Sequence, residues 1–261
     1  MRRSYSVPNR ELGNGPKYSV YNNGINFNEF FNSEPNINTV PELTFCDKIF
    51  FGFHFNQPID SLSSLEHITS INFGNDFNQP VDNLPPNLIN LSFGYCFNQP
   101  VDNLPKYLER LSFETEGDFE HPVNSLPPNL KNLTLGGAFN LPVDNLPNGL
   151  IELRFGRIFN RVVNNLPNSI ERLRFGCNFN QLIDNLPNQL KYLRLDAHFN
   201  RPVNNLPESL KYLIFDHHFN QPIDNLPNSI EYLTLGNSFN QPINNLPNSV
   251  VHITLGSDFN Q

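Results

Sequence analysis

The amino-acid sequence predicts a repeat solenoid in which each coil of 20–22 residues supplies one short parallel β-strand and a proline-braced, irregular or 3₁₀ return segment. The first observation is a fixed period. FNQPIDNLPNSIEYLTLGNS (219–238) is followed at once by FNQPINNLPNSVVHITLGSD (239–258). With Phe as position 1, units start at Phe55, Phe77, Phe97, Phe119, Phe139, Phe159, Phe179, Phe199, Phe219 and Phe239, and Phe259 begins another. The second is the apolar alternation of positions 15 and 17 (Leu233-Thr234-Leu235, Leu193-Arg194-Leu195), the period-two mark of a half-buried strand. The third is proline at positions 4 and 9, which removes backbone donors and rules out a helix or a second central strand there.

Taken from the N-terminus, residues 1–39 form a segment of their own, read as irregular, with Phe27, Phe30 and Phe31 available to cap the open end of the stack. Residues 40–261 form the solenoid, beginning with a partial unit whose strand is Ile49-Phe50-Phe51-Gly52. Spacing is 22 residues after Phe55 and Phe97 and 20 throughout the C-terminal half. The first insertion precedes its strand (SLSSLEHITSINF) and the second follows it (LSFETEGDF), so both places are loops. Positions 1, 5, 8, 12, 15 and 17 are apolar, and one coil cannot bury six such side chains alone; stacked on its neighbours it can. Asn recurs at position 2 except at Glu120, and at position 7 except at Ser61 and Ser125. Position 7 is expected to be the inner amide ladder, because its replacements are small and polar. The last strand, Val251 to Leu255, presents an open edge through which a weak homodimer is expected.

Composition narrows the function. A net charge of −8 gives no bulk attraction to nucleic acid or anionic lipid, so neither is expected as a partner. There is no run of about 18 apolar residues and no apolar segment after the basic MRRSYSVPNRELGNGPK. Cys46, Cys96 and Cys177 show no CxxC spacing. Together these suit an intracellular, cytoplasmic protein, in a host cytoplasm if the chain is viral.

The pattern IxxLxL at Ile230, Leu233 and Leu235 is similar to the start of a leucine-rich repeat. Joined to the following FNxPI/V, it resembles the FNIP repeat, a leucine-rich-repeat relative abundant in social amoebae and in giant viruses of amoebae. The resemblance runs from about Val40 to the C-terminus. One departure is that the usual Asn three residues after the last strand leucine is replaced by Ser238, the amide falling at Asn240. The resemblance implies a leucine-rich-repeat-like fold and a protein-binding scaffold. Some relatives carry an F-box ahead of the repeats, which implies a ubiquitin-ligase-type substrate adaptor as an alternative. Residues 1–39 show no amphipathic helical stretch of that kind.

Candidate functional residues lie at the outward strand positions 14, 16 and 18. Neighbouring strands sit about 4.8 Å apart, so each column is a ladder of adjoining side chains. Arg154, Arg174 and Arg194 follow one another at position 16, and Arg172, Tyr192, Tyr212 and Tyr232 at position 14. Asp196 and Asp216 stand at position 18, where Gly is otherwise common. A fold does not need stacked arginines, and Arg and Tyr are enriched at binding hot spots, so these nine residues form the candidate protein-binding patch. The alternative is a solvated face and a structural or assembly role exerted through the ends.

Two other chemistries fit these residues less well. Asp196, His198, Asp216, His217 and His218 could in type hold a divalent metal, but their spacing matches no known ligand set, so no metal or other cofactor is expected. At position 6, Asn and Asp alternate from Asn124 to Asn244, which spaces the carboxylates to about 9.6 Å and leaves no close catalytic pair. No GxSxG, HExxH, P-loop or dinucleotide motif occurs, and the chain is read as non-enzymatic.

Overall fold

The computed structural model describes residues 5–8, 16–28, 33, 35 and 40–261. The chain is a parallel β-solenoid of about 11 turns, resting on a 14-stranded sheet whose spatial order is its chain order. The strands are β1 (Tyr5–Pro8), β2 (Pro16–Tyr21), β3 (Gly24–Phe27), β4 (Lys48–Phe50), β5 (Ser70–Asn72), β6 (Asn90–Phe93) and β7 (Arg110–Phe113). They continue as β8 (Asn132–Thr134), β9 (Glu152–Arg154), β10 (Arg172–Arg174), β11 (Tyr192–Leu195), β12 (Tyr212–Phe215), β13 (Tyr232–Thr234) and β14 (His252–Thr254). From β3 onward every pairing is parallel, and equivalent positions of successive units stand side by side.

Each return path is two tight turns. The carbonyl of the position-9 proline accepts from the N–H of position 12 (Leu190 N to Pro187 O, 3.1 Å), and the carbonyl of position 18 accepts from position 1 (Phe179 N to Gly176 O, 3.2 Å). Proline suits the first turn because its own missing donor is not needed there. Among the described residues, regular 3₁₀ helix is confined to Pro41–Thr44 and Asp60–Leu62.

The core is two columns of rings. Position-1 phenylalanines stack nearly parallel along the axis, Phe159, Phe179 and Phe199 lying 6.2 and 6.1 Å apart at 6° and 5°. Position 17 supplies the second column, and Phe175 meets Phe179 at 3.7 Å. Where Leu135, Leu195 and Leu235 replace Phe in that column, burial is kept. Each fully buried Phe contributes about 1.5–3 kcal/mol of transfer free energy, so repetition of one ring type carries much of the stability.

Glycine at position 18 has a steric cause. A Cβ on Gly156 would lie 2.1 Å from the Gly136 carbonyl oxygen, and one on Gly176 2.1 Å from that of Gly156. Successive coils touch backbone to backbone here. At Asp196 and Asp216 the strands run one residue further, β11 and β12 reaching Leu195 and Phe215 with Asp216 N bonded to Leu195 O at 3.0 Å.

Two expectations are corrected. The amide ladder that bonds the backbone of successive coils is position 2, not position 7, and neither column is buried. Asn160 Oδ1 accepts from Asn180 N (2.9 Å), Asn180 Oδ1 from Asn200 N (3.1 Å), and Asn200 Oδ1 from Asn220 N (3.0 Å). Position-3 glutamines add a second donor to the same oxygens, as Gln181 Nε2 does to Asn160 Oδ1 at 3.0 Å. Position 7 is exposed, and its Nδ2 donates to the position-6 carboxylate of the preceding coil: Asn165 to Asp144 (2.9 Å), Asn205 to Asp184 (3.0 Å), Asn245 to Asp224 (2.9 Å).

The second correction concerns residues 1–39, which are not irregular throughout. β2 and β3 form a hairpin across Asn22 and Asn23, whose φ values of 50° and 60° suit a type I′ turn, and β1 pairs antiparallel outside them. Phe27 is buried and stacks on Phe51 at 5.2 Å, prolonging the position-17 column. Phe30 and Phe31 lie outside the described residues.

Candidate functional site

The parallel register brings the candidate residues together. Arg154, Arg174 and Arg194 are in register across β9, β10 and β11, as are Arg172, Tyr192, Tyr212 and Tyr232 across β10 to β13. Alternation along each strand sends Leu153, Leu173, Leu193 and Leu213 into the core and leaves these residues outward, half-buried or exposed. Tyr212 and Tyr232 stack at 4.5 Å and 10°, and His252 extends the row at 4.7 Å from Tyr232. Tyr192 is tilted from Tyr212 at 6.3 Å and 33°, and it carries the guanidinium groups of Arg172 (5.6 Å) and Arg174 (5.0 Å). Such cation–π contacts hold long side chains in place on an exposed surface.

The aspartates do not act as free carboxylates. Arg194 Nε donates to Asp196 Oδ1 at 2.9 Å, and its Nη2 reaches Asp216 Oδ2 at 3.4 Å. The Asp196 hydrogen bond raises the Arg194 pKa above the ordinary guanidinium value against an opposing desolvation effect. Lysines flanking the face are likewise matched: Lys131 with Glu109 (2.7 Å), Lys191 with Glu171 (2.9 Å), Lys211 with Glu231 (2.7 Å). Among the described residues Arg154, Arg172 and Arg174 have no ion-pair partner, and Arg174 Nε is buried without a hydrogen-bond acceptor.

Sequence reasoning missed a recess beside these arginines. About 150 Å³ in volume, it has Gly156 and Gly176 in its lining, with Arg154, Arg174 and Arg194 along one side. Thr115, Glu116, Arg157 and Cys177 also line it. The inserted LSFETEGDF loop reaches it by crossing a coil: Ala138 N bonds to Gly117 O at 2.9 Å, and Glu116 pairs with Arg157 at 3.7 Å. A Cβ on Gly137 would fall 2.7 Å from Glu116 Cα, so the double glycine of LGGAF was the available signal.

The histidines of the rejected metal reading are adjacent, His198 and His218 stacking at 5.5 Å, while His217 leans on Asp216 at 3.3 Å. No group of three or more His, Cys, Asp or Glu side chains among the described residues is placed to hold a metal ion. Nor is any helix among them long and apolar enough to cross a membrane.

Comparison with known proteins places this geometry. The FNIP Repeat family model matches residues 55–96, 77–115, 120–158, 159–198, 179–217, 199–238 and 219–258. CroV588, from the giant virus CroV and described as a novel circular LRR protein structure, is 35% identical with a TM-score of 0.71; the match covers 94% of this chain and 48% of that one. A chain of the Drosophila Toll–Spatzle complex matches with a TM-score of 0.60 at 12% identity, over 99% of this chain and 47% of that one, which shows a shared fold. This chain therefore spans about half the length of both. No curated protein matches it.

Proposed function

The chain belongs to the FNIP-repeat family of leucine-rich-repeat-like solenoids, and on that footing we propose that it is a non-enzymatic scaffold that binds a protein through its sheet face. The observation that carries this reading is the pair Arg154 and Arg174, in register on adjacent strands without ion-pair partners, with the Tyr212–Tyr232 platform starting two strands further on. Like charges on adjacent rungs repel, and a partner that supplies acceptors relieves the repulsion. The non-enzymatic part is supported by the fate of Asp196 and Asp216, both engaged by Arg194 rather than free for acid–base work. Three free thiols support an intracellular setting.

The test is capture of partners from host cells by wild type and by the Arg154→Ala/Arg172→Ala/Arg174→Ala variant. Partners lost with the variant support sheet-face binding. Partners retained by a folded variant support the structural role through the ends.

A further inference from the structure

The cations of this face fall into two groups. Lys131, Lys191, Lys211 and Arg194 are matched within the chain. Arg154 and Arg174 are not, although the chain as a whole carries a net charge of −8. Both line the recess, and the buried Nε of Arg174 has no acceptor. Two guanidinium groups on adjacent rungs with no carboxylate partner in the chain form a site that an external anion matches.

We infer that the partner is an acidic, extended peptide segment whose Asp or Glu carboxylate sits in the recess against Arg154 and Arg174. Its apolar or aromatic side chain, about three or four residues away, lies on Tyr212 and Tyr232. This rests on the sheet face being the protein-binding surface. A carboxylate is the matching anion for two reasons. The planar guanidinium fork fits it in a bidentate manner. Glu116 and Asp196 also line the recess, and they repel a phosphate dianion more strongly than a single negative charge. The volume of about 150 Å³ admits a carboxylate with ordered water.

The spacing follows from the ladder. Tyr192 is already occupied by Arg172 and Arg174, so the free aromatic surface starts at Tyr212. Tyr212 and Tyr232 stand two and three strands beyond Arg174. At about 4.8 Å per strand that is about 10–14 Å, which an extended chain rising about 3.3 Å per residue covers in about three or four residues. Acid and aromatic at that separation are the recognition elements.

The test is panning of random short peptides displayed on phage against the full chain, followed by fluorescence polarisation with the enriched peptides made synthetically. Enriched peptides should carry Asp or Glu about three or four residues from an aromatic or large apolar residue. Replacing that acid with its amide, or binding to the Arg154→Gln/Arg174→Gln variant, should weaken affinity by at least about tenfold. Circular dichroism checks that the variant is folded; if it is not, the amide peptide on the wild-type chain decides the matter alone. Peptides that depend on Tyr212 (lost with Tyr212→Ser) but tolerate loss of the acid would overturn the acidic-peptide inference and leave sheet-face binding standing. Tighter binding of a phosphoserine version would overturn the choice of carboxylate. Peptides indifferent to both variants, or no enrichment at all, would overturn inference and sheet-face reading together.

Discussion

Truncating Phe179 to Ala tests whether the stacked rings hold the coils together. Phe179 is fully buried, with Phe175 at 3.7 Å on its own turn and Phe159 and Phe199 at 6.2 and 6.1 Å on the turns to either side. Its removal forfeits the transfer free energy of a whole ring and leaves a cavity walled by three residues that are themselves fixed in stacks. Collapse into that space is restricted, so the cost belongs at about 3–5 kcal/mol. In a linear array the damage also falls on the two interfaces the coil makes, and the array should unfold less cooperatively. Equilibrium urea unfolding followed by far-ultraviolet circular dichroism measures both the midpoint and the slope, and tryptophan is not needed. Phe53→Ala is the control: Phe53 is 48% exposed, and its loss should change stability by less than about 0.5 kcal/mol. If Phe179→Ala unfolds within about 1 kcal/mol of wild type, the ring columns are not what stabilises the solenoid.

Glycine, amide and thiol positions each supply a further outcome. Gly156→Ala should destabilise by about 1–3 kcal/mol or more because its Cβ meets the Gly136 backbone. Gly149→Ala, where a Cβ finds only Pro128 O at 3.8 Å, should be neutral or stabilise by about 0.4–1 kcal/mol in thermal unfolding. Asn180→Ala, which removes the side-chain oxygen that accepts from Asn200 N, should cost about 0.5–1.5 kcal/mol; Asn205→Ala, at exposed position 7, should stay within about 0.5 kcal/mol. All three thiols are raised above the ordinary thiol value, by burial first and then by nearby carboxylates such as Asp47, Asp76 and Asp196. A raised pKa depletes the reactive thiolate at neutral pH. Iodoacetamide labelling read by mass spectrometry should therefore be slow at Cys96 and Cys177 at pH 7, rise with pH later than for an ordinary thiol, and spare Cys46 until the chain unfolds.

The solenoid was legible because its signals are local. Alternation at Leu233 and Leu235 and proline at positions 4 and 9 each restrict the backbone directly, and repetition multiplies them. The hairpin at Asn22-Asn23 carries its signal in YNNG, two residues tolerant of positive φ before a Gly, but the surrounding Asn, Gly and Ser are equally compatible with irregular chain. The amide columns misled for a different reason. Tolerance of Ser at position 7 says that the side chain there is dispensable, not that it is buried. Glu120 is tolerated at position 2 because its own N–H still donates to Asn98 Oδ1 at 3.2 Å. The arginine and tyrosine ladders followed from register alone, since the same position in each unit must stand beside itself. The pairing of Arg194 with Asp216 needed side-chain geometry, and the recess needed a loop to cross a coil, which no period reveals.

The most direct measurement of the central claim is hydroxyl-radical footprinting of the full chain with and without the tightest selected peptide. Tyr212 is 39% exposed on the sheet face, while Tyr95 and Tyr107, at 43% and 48%, lie outside the proposed patch and serve as internal references. Sheet-face recognition predicts that binding shields Tyr212 and Tyr232 from oxidation and leaves Tyr95 and Tyr107 unchanged. Shielding at Tyr107, or at Val251 in the last coil, with Tyr212 oxidised as in the free chain, would contradict it.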